Sequence, residues 1–173
     1  MLQYTAMRDI IAGDCHGHKC PRNDTVDWEI FMIKILFVCH GNICRSPMAE
    51  FVMKDMVAKA GMAEDFVIDS AAASREEIGS PIYPLAQQEL ARHGILNASH
   101  RARQITAEDL ETYDRIYYMD SRNATYLQRL FPGFTGFRKL LPYDVADPWY
   151  SGDFAQTWED LQIGCRKILE ELV

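Results

Sequence analysis

A cysteine and an arginine lie six residues apart in the stretch VCHGNICRSP, residues 38–47. Cys39 follows an apolar run, and Arg45 and Ser46 come directly before Pro47. A thiolate is a strong nucleophile, and the planar guanidinium of an arginine can hold two oxygens of a phosphoryl group. The spacing Cys-x5-Arg-Ser between a strand and a helix therefore predicts a loop that binds a phosphoryl group and attacks its phosphorus.

The residues between the cysteine and the arginine are typical of a loop whose backbone amides turn inward around an anion. Gly41 can take a positive φ, and Asn42 tolerates it better than most residues. A helix beginning near Pro47, with Glu50 in its first turn, would add the positive end of its dipole. Inward amides, a helix N-terminus and a nearby cation all favour the ionised form of a thiol. We expect the features that bind a dianion also to keep the sulfur ionised.

Each cysteine of this loop also has a structural interpretation. A cysteine after an apolar strand is usually a small buried core residue. For Cys39, the loop and the arginine that follow favour the nucleophile. For Cys44, taken alone, packing is the better interpretation.

Strand and helix patterns alternate from residue 32 onward, and they must position this loop. The predicted strands are residues 33–38, 66–71, 115–120 and 137–141, and the predicted helices are 47–60, 84–93, 106–112, 121–131 and 154–172. This alternation predicts an α/β fold of three layers, with a four-stranded parallel sheet and helices on both faces. Ligands of such sheets bind beyond the carboxyl ends of the strands, and Cys39 lies at one of these ends.

The composition narrows the function classes. The chain has 173 residues, enough for one domain with a sizeable core, and a formal net charge of -7 without a basic run, which argues against a nucleic-acid binder. We find no signal-peptide pattern and no stretch long enough to span a membrane. The odd count and scattered spacing of the cysteines indicate a reducing compartment, and we predict the cytoplasm. The five cysteines are Cys15, Cys20, Cys39, Cys44 and Cys165.

Cleavage of a phosphate ester needs a proton for the leaving oxygen, which a nearby carboxylic acid can supply. The stretch DVADPWYSGD offers Asp144, Asp147 and Asp153 as candidates. An aspartate before a proline is more often a turn residue, so the residues alone leave the acid open. Trp149 and Tyr150 could form an aromatic wall for a substrate ring, and packing against the last helix is the alternative.

The chain resembles the low molecular weight protein tyrosine phosphatases over about residues 33–172. The motifs that carry the resemblance, in family order, are VCHGNICRSPMAE, DSAAAS, HRARQIT, YYMD and DPWY. It implies a phosphotyrosine phosphatase I-like fold and the hydrolysis of phosphotyrosine and aryl phosphate monoesters without a cofactor or a metal. We therefore predict a phosphoric monoester hydrolase that acts on phosphotyrosine-containing proteins as a monomer or weak dimer, with no nucleic-acid or membrane partner.

The resemblance also implies the roles of the site residues. Cys39 would attack phosphorus and form a cysteinyl-phosphate, while Arg45 holds the equatorial oxygens. Asp147 would act as the general acid and then as the base for water, and Ser46 would hydrogen-bond the sulfur. The residues expected to support the loop are Asn42, Ser70 and His100. The residues expected to contact phosphate or substrate are His40, Gly41, Asn42, Ile43, Cys44, Ser46, Trp149 and Tyr150.

Two positions depart from the family pattern. Glu76 stands where an aromatic residue often grips the substrate ring, so we expect slower or narrower use of phosphotyrosine and a bias against acidic phosphopeptides. His40 stands where aliphatic residues are common. It either tunes the pH profile or faces solvent without a role.

Two other functions remain as alternatives. Protein arginine phosphatases share the scaffold but typically carry threonine at the position of Ile43, so the isoleucine favours tyrosine. A phosphate-binding or thiol-redox module without turnover is the second alternative. A reversible disulfide between Cys39 and Cys44 would then be its redox element, although we interpret such a bond as regulation of an enzyme.

Residues 1–31 fall outside the resemblance. The stretch CHGHKC, from Cys15 to Cys20, could bind zinc, but its spacing matches no zinc-finger pattern. We therefore predict a flexible extension over residues 1–31, followed by a phosphatase domain over residues 32–173.

Overall fold

The computed structural model describes residues 32–96 and 98–173. Predictions for residues 1–31, including the zinc alternative, lie outside the described residues. The elements in chain order are β1 (Ile33–Cys39), α1 (Arg45–Lys59), a 3-10 helix (Ala63–Asp65), β2 (Phe66–Ala72), α2 (Pro84–Arg92), α3 (Ala107–Thr112), β3 (Arg115–Tyr118), α4 (Ser121–Leu130), β4 (Phe137–Lys139), α5 (Pro148–Ser151) and α6 (Phe154–Leu172).

The strands form one sheet in the order β2-β1-β3-β4, and every neighbouring pair is parallel. Helices cover both faces, because one core cluster joins the sheet to α1, α2 and α6 and a second joins it to α3 and α4. The predicted α/β fold, with a four-stranded parallel sheet between two helical layers, is confirmed.

Strand β1 lies inside the sheet and is buried on both faces. Ile35 and Phe37 contribute to the first cluster, while Leu36 and Val38 contribute to the second. Because both faces are buried, residues 35–38 are all apolar instead of alternating between apolar and polar side chains. The chain leaves β1 for β2 on one side and later returns to β3 on the other side. The carboxyl end of β1 is therefore the switch point of the topology, where such sheets bind ligands.

Helix α1 begins earlier than the sequence predicted. Its first residue is Arg45, Cys44 precedes it as the N-cap residue, and Pro47 is the third helical residue rather than the first. Proline is compatible with this position because the first amides of a helix have no partner within it. Glu50 consequently lies beyond the first turn, which contains no acidic residue. The predicted stop is confirmed, since Gly61 follows the helix with φ of 71°.

One predicted helix cap is confirmed, whereas two strand ends and two short helices differ from the prediction. Thr106 and Asp109 form the capping box that the sequence predicted for α3. Strands β3 and β4 each end two residues before the predicted limit, at Tyr118 and Lys139, which are paired in register. The 3-10 helix and the four-residue helix α5 were not predicted. No helix in the described part of the chain is long and apolar enough to cross a bilayer.

Candidate active site

A cavity of about 380 Å³ opens at the carboxyl end of β1. Its walls come from the loop after β1, the segment after β2, the start of α4 and helix α5, so residues far apart in the sequence meet there. The lining residues are Cys39, His40, Gly41, Ile43, Cys44, Arg45, Glu76, Glu77, Asp120, Arg122, Asn123, Tyr126, Asp147, Trp149 and Tyr150.

The sulfur of Cys39 lines this cavity although the residue is almost fully buried. The Cys39 Sγ lies 3.0 Å from the hydroxyl oxygen of Ser46, and the backbone amide of Asn42 donates to the sulfur at 3.3 Å. The Ser46 hydroxyl also lies 3.3 Å from the carbonyl oxygen of Ala71. Two groups that can donate hydrogen bonds therefore face the sulfur.

Asn42 holds the loop in shape from inside. It is completely buried and has a φ of 59°, and it is the one non-glycine residue with positive φ among the described residues. Its side-chain amide donates to the hydroxyls of Ser46 and Ser70, both at 2.9 Å, and its side-chain oxygen accepts from the backbone amide of Arg103. Its backbone carbonyl accepts from His100 Nε2 at 2.9 Å, in the tautomer that protonates this nitrogen. The strained conformation is thus held by hydrogen bonds on every polar group of the side chain.

The sequence analysis expected Gly41 to take a positive φ, and this was wrong. Gly41 is not among the glycines with positive φ, which Asn42 takes instead. A Cβ atom at Gly41 would lie 3.2 Å from Cγ of Glu77, tighter than an ordinary contact. A side chain at this position would therefore require the Glu77 side chain to shift by a few tenths of an ångström.

Glu50 extends the support beneath the loop, and the sequence analysis did not assign it to the site. Its carboxylate accepts from the Ser70 hydroxyl at 2.6 Å and from Lys54 at 2.6 Å, and it lies 3.8 Å from His100 Nδ1. The expected supports Ser70 and His100 therefore meet on one buried carboxylate as well as on Asn42. The signal in the sequence was a glutamate beside the apolar positions of α1 that face the core.

Arg45 lies between two carboxylates. Its Nη1 is 2.5 Å from Asp120 Oδ2 and its Nη2 is 2.7 Å from Asp147 Oδ2, and its side chain is buried. Burial alone would lower the pKa of this guanidinium, but the negative charges of Cys39, Asp147 and Asp120 raise it above its usual value. Arg45 is therefore a permanent buried cation at the cavity.

Asp120 has two partners, and it is not among the site residues named from the sequence. One of its oxygens binds Arg45, and the other caps helix α4 by accepting from the amide of Asn123 at 2.7 Å. Its position directly after β3, at the same sheet edge as Cys39, was the available signal.

Asp147 is the one acid of the DVADPWYSGD stretch that lines the cavity. It caps α5 by accepting from the amide of Trp149 and contacts Arg45, 102 residues away in the chain. Asp144 instead binds Lys139 and the amide of Ser121.

The last acid of the stretch serves as a cap. Asp153 accepts from the amide of Gln156 at the start of α6. Neither Asp144 nor Asp153 lines the cavity, whereas Asp147 does.

The rim of the cavity is more exposed than its floor. Trp149 is 56% exposed and Tyr150 is 75% exposed, so neither is packed in the core, although the Trp149 ring meets Tyr83 edge-on at 5.4 Å. His40 Nε2 lies 3.1 Å from Glu76 Oε2, and the His40 ring lies 5.0 Å from that of Tyr126. His40 is therefore not a solvent-facing residue without contacts.

Three rim residues were missed by the sequence analysis. Arg122 and Tyr126 lie one turn apart on α4, and Glu77 lies in the segment after β2. The start of α4 follows the carboxyl end of β3, which was the only signal for the first two.

Ile43 and Cys44 line the cavity and also support the core. The Ile43 side chain packs against the first core cluster, while its carbonyl accepts from the amide of Tyr83 at 2.8 Å. Burial, followed by the charge of Cys39, raises the pKa of Cys44 well above its usual range, so its thiol is protonated. Among the described residues, Cys39, Cys44 and Cys165 are free cysteines.

Comparison with known proteins identifies the family. The family model described as low molecular weight phosphotyrosine protein phosphatase matches residues 34–173. The low molecular weight protein-tyrosine-phosphatase YfkJ of Bacillus subtilis is 37% identical over 150 residues, which cover 82% of this chain and 96% of the relative. The human low molecular weight phosphotyrosine protein phosphatase is 38% identical over 152 residues, covering 79% and 94%.

Solved structures show the same likeness. The crystal structure of YfkJ matches with a TM-score of 0.76 at 36% identity, and that of SP-PTP from Streptococcus pyogenes matches with 0.76 at 38%; each match covers 82% of this chain and 94% of the other. The crystal structure of DARP, the drosophila arginine phosphatase, matches with 0.74 at 30% identity, covering 81% and 98%. Given the matched family model and these relatives, the chain belongs to the low molecular weight phosphotyrosine protein phosphatase family and, as the sequence predicted, is a phosphoric monoester hydrolase.

Proposed function

We propose that this chain hydrolyses phosphotyrosine and aryl phosphate monoesters through a cysteinyl-phosphate intermediate on Cys39. The observation that carries the proposal is the meeting of Cys39, Arg45 and Asp147 at one cavity, although the last is 102 residues from Arg45 in the chain. These groups are a nucleophile, a phosphoryl-binding cation and a proton donor, which together suffice for transfer of a phosphoryl group.

Substrate binding begins at Arg45. Arg45 Nη2 lies 2.7 Å from Asp147 Oδ2, so a phosphoryl group that binds this nitrogen displaces the carboxyl group toward the leaving oxygen. Asp120 keeps Nη1 and the orientation of the fork. Two oxygens of the phosphoryl group then face a planar pair of donors.

The first chemical step transfers the phosphoryl group to sulfur. The Cys39 thiolate forms the S–P bond as the bond from phosphorus to the phenolic oxygen breaks. Asp147, protonated at this stage, gives its proton to that oxygen, so the leaving group departs as a neutral phenol.

The second step restores the enzyme. Asp147, now a carboxylate, takes a proton from water as the water oxygen bonds to phosphorus and the S–P bond breaks. The Ser46 hydroxyl, 3.0 Å from the sulfur, donates to the thiolate that leaves. Inorganic phosphate is released, and Asp147 carries the proton needed for the next cycle.

Loop support is assigned to Asn42, Ser70 and His100. Their hydrogen bonds hold the loop in one conformation before substrate arrives. Donors that are already in place need no reorganisation when charge develops during the reaction.

Phosphoarginine hydrolysis is the second candidate. Its support is the likeness to the drosophila arginine phosphatase at 30% identity. The apolar Ile43 lines the cavity at the position where a hydroxyl would be expected for that substrate, which is why we place tyrosine first.

We also propose that residues 32–173 form the catalytic domain and act in the cytoplasm as a monomer or weak dimer. The match of the family model from residue 34 onward supports the boundary. Deleting residues 1–31 is expected to leave turnover unchanged. Loss of turnover with the fold intact would contradict the boundary.

The decisive experiment measures turnover of an aryl phosphate, a phosphotyrosine peptide and phosphoarginine by the wild type, Cys39→Ser and Asp147→Ala. Wild type is expected to prefer the first two substrates, and Cys39→Ser to be inactive. Asp147→Ala is expected to lose most of the activity. The loss is expected to be smallest for aryl phosphates whose phenol can leave without being protonated. Asp144→Ala, in the same stretch but outside the cavity, is the matched control. Hydrolysis by Cys39→Ser would contradict the proposed mechanism. Faster turnover of phosphoarginine than of the aryl phosphate and the phosphotyrosine peptide would favour the second candidate function.

A further inference from the structure

Contacts between side chains define the order of residues around the rim of the cavity. Glu76 binds His40, and the His40 ring meets Tyr126. Arg122 lies one helical turn before Tyr126 on α4, and its guanidinium lies 5.8 Å from the centre of the Tyr150 ring. The rim therefore runs from an acidic wall in the segment after β2, through His40 and α4, to a cationic and aromatic wall at α5.

The acidic wall has charge that the proposed chemistry does not use. The carboxylates of Asp120 and Asp147 are both bound to Arg45, whereas Glu76 and Glu77 belong to neither step. The Glu77 carboxylate makes no hydrogen bond or ion pair with any residue in the described ranges, although the residue lines the cavity.

Glu77 lies close to the reacting loop. Its Cγ would be 3.2 Å from a Cβ atom at Gly41. Its negative charge is one of the causes that raise the pKa of Cys44, after burial, Cys39 and Asp147. Glu77 therefore lines the cavity directly beside the loop that carries Cys39 and Arg45.

Glu76 is held in place through one of its two carboxylate oxygens. Its Oε2 is 3.1 Å from His40 Nε2, while no residue that the structure describes donates to Oε1, and the side chain is 69% exposed. A neutral histidine can hold the carboxylate as a hydrogen-bond donor without removing its charge. His40 is thus a positioning residue that keeps this carboxylate at the rim.

We propose that Glu76 and Glu77 form a subsite for a lysine or arginine next to the phosphotyrosine, so that the preferred substrates are phosphotyrosine segments with basic flanking residues. The inference rests on the proposed function, because it assumes that a phosphotyrosine occupies the cavity. A phosphotyrosine side chain that reaches Arg45 leaves its backbone at the rim, where the neighbouring residues meet these two carboxylates. A basic residue beside the phosphotyrosine is attracted by the two carboxylates. An acidic residue at the same place is repelled by them, so peptides with acidic flanking residues are disfavoured.

The test compares three peptides that differ only in the residues on each side of phosphotyrosine: lysine, alanine or glutamate. Wild type is expected to show a kcat/KM about tenfold higher for the lysine peptide than for the glutamate peptide at low salt, the size expected of two partly exposed ion pairs. The ratio is expected to fall as salt is added. Glu76→Gln and Glu77→Gln are each expected to lower it about threefold, the double variant to bring it near one, and Glu77→Asp to keep most of it.

Glu159→Gln is the matched control. Glu159 is an exposed residue of α6 outside the cavity, and its substitution changes the net charge by the same amount. It is expected to leave the ratio unchanged. Equal kcat/KM for the lysine and glutamate peptides in wild type, or a full ratio in the double variant, overturns the subsite.

Binding to Cys39→Ser separates this inference from the proposed function. The serine variant is expected to bind the lysine peptide more tightly than the glutamate peptide by a similar factor. If wild type fails to hydrolyse any aryl phosphate while the binding preference persists, the proposed function fails and the subsite stands. Turnover without any preference supports the function and removes the subsite.

Discussion

The floor and the rim of the cavity are built in different ways. At the floor, Asn42, Ser46 and Ser70 are buried and each is hydrogen-bonded to other residues of the site. At the rim, Trp149 and Tyr150 are mostly exposed and make single ring contacts. At the floor, the hydrogen bonds that stabilise the fold also hold the loop of Cys39 and Arg45 in position. At the rim, a side chain can be substituted with little loss of stability.

The largest expected effect is at the floor. Arg45→Lys removes the planar fork that binds Asp120 and receives the phosphoryl group, so kcat is expected to fall by about 10²- to 10³-fold, as for loss of a donor to developing charge. Steady-state kinetics with an aryl phosphate measure it. Arg129→Lys, at the exposed end of α4, is the matched control and is expected to behave as wild type. A loss of less than tenfold in Arg45→Lys would show that the fork is dispensable.

The next effect separates the two functions of Asn42. Asn42→Ala loses the buried amide and places an alanine at a φ of 59°, so the free energy of unfolding is expected to fall by about 3 kcal/mol. Asn42→Gly keeps the conformation and loses only the amide, so it is expected to lose less. Denaturant unfolding measures both. Equal losses would mean that backbone strain contributes nothing.

A smaller effect is expected at the aromatic rim. Trp149→Ala removes a half-exposed ring, so KM for an aryl phosphate is expected to rise about two- to tenfold, the range of one aromatic contact. Because the ring is outside the core, the free energy of unfolding is expected to change little. Trp149→Phe keeps a ring and is expected to lie close to wild type. A large drop in stability would place Trp149 with the floor.

The smallest effect is expected at Glu76. Glu76→Tyr removes the contact with His40 and restores a ring, so kcat/KM for phosphotyrosine peptides is expected to rise about two- to fivefold, most for acidic peptides, as one exposed ion pair allows. Glu159→Tyr is the control for a new exposed ring. Unchanged kinetics and peptide preference in Glu76→Tyr would remove Glu76 from substrate selection.

The fold was predictable because its elements are locally encoded. The apolar runs gave the strands, and the stop at Gly61 and the capping box at Thr106 gave two helix boundaries. The start of α1 was misplaced because Pro47 fits any position of a first turn. Helix α5 was missed because four residues carry too little pattern to be recognised.

The site was predictable only where its residues are consecutive or carry a family motif. Cys39 and Arg45 stand in one loop, so their spacing was enough. Asp147 could not be chosen over its neighbours without the resemblance, because its contact with Arg45 depends on tertiary structure. The site contacts of Glu50 and Tyr126 could not be predicted either, because they too depend on tertiary structure and no local pattern in the sequence indicates them.

Asp120 joins the two regions in one side chain. One oxygen fixes the guanidinium of Arg45, and the other fixes the first turn of α4, the helix that carries Arg122 and Tyr126. The position of the Arg45 guanidinium relative to the first turn of α4 is therefore set by a single carboxylate.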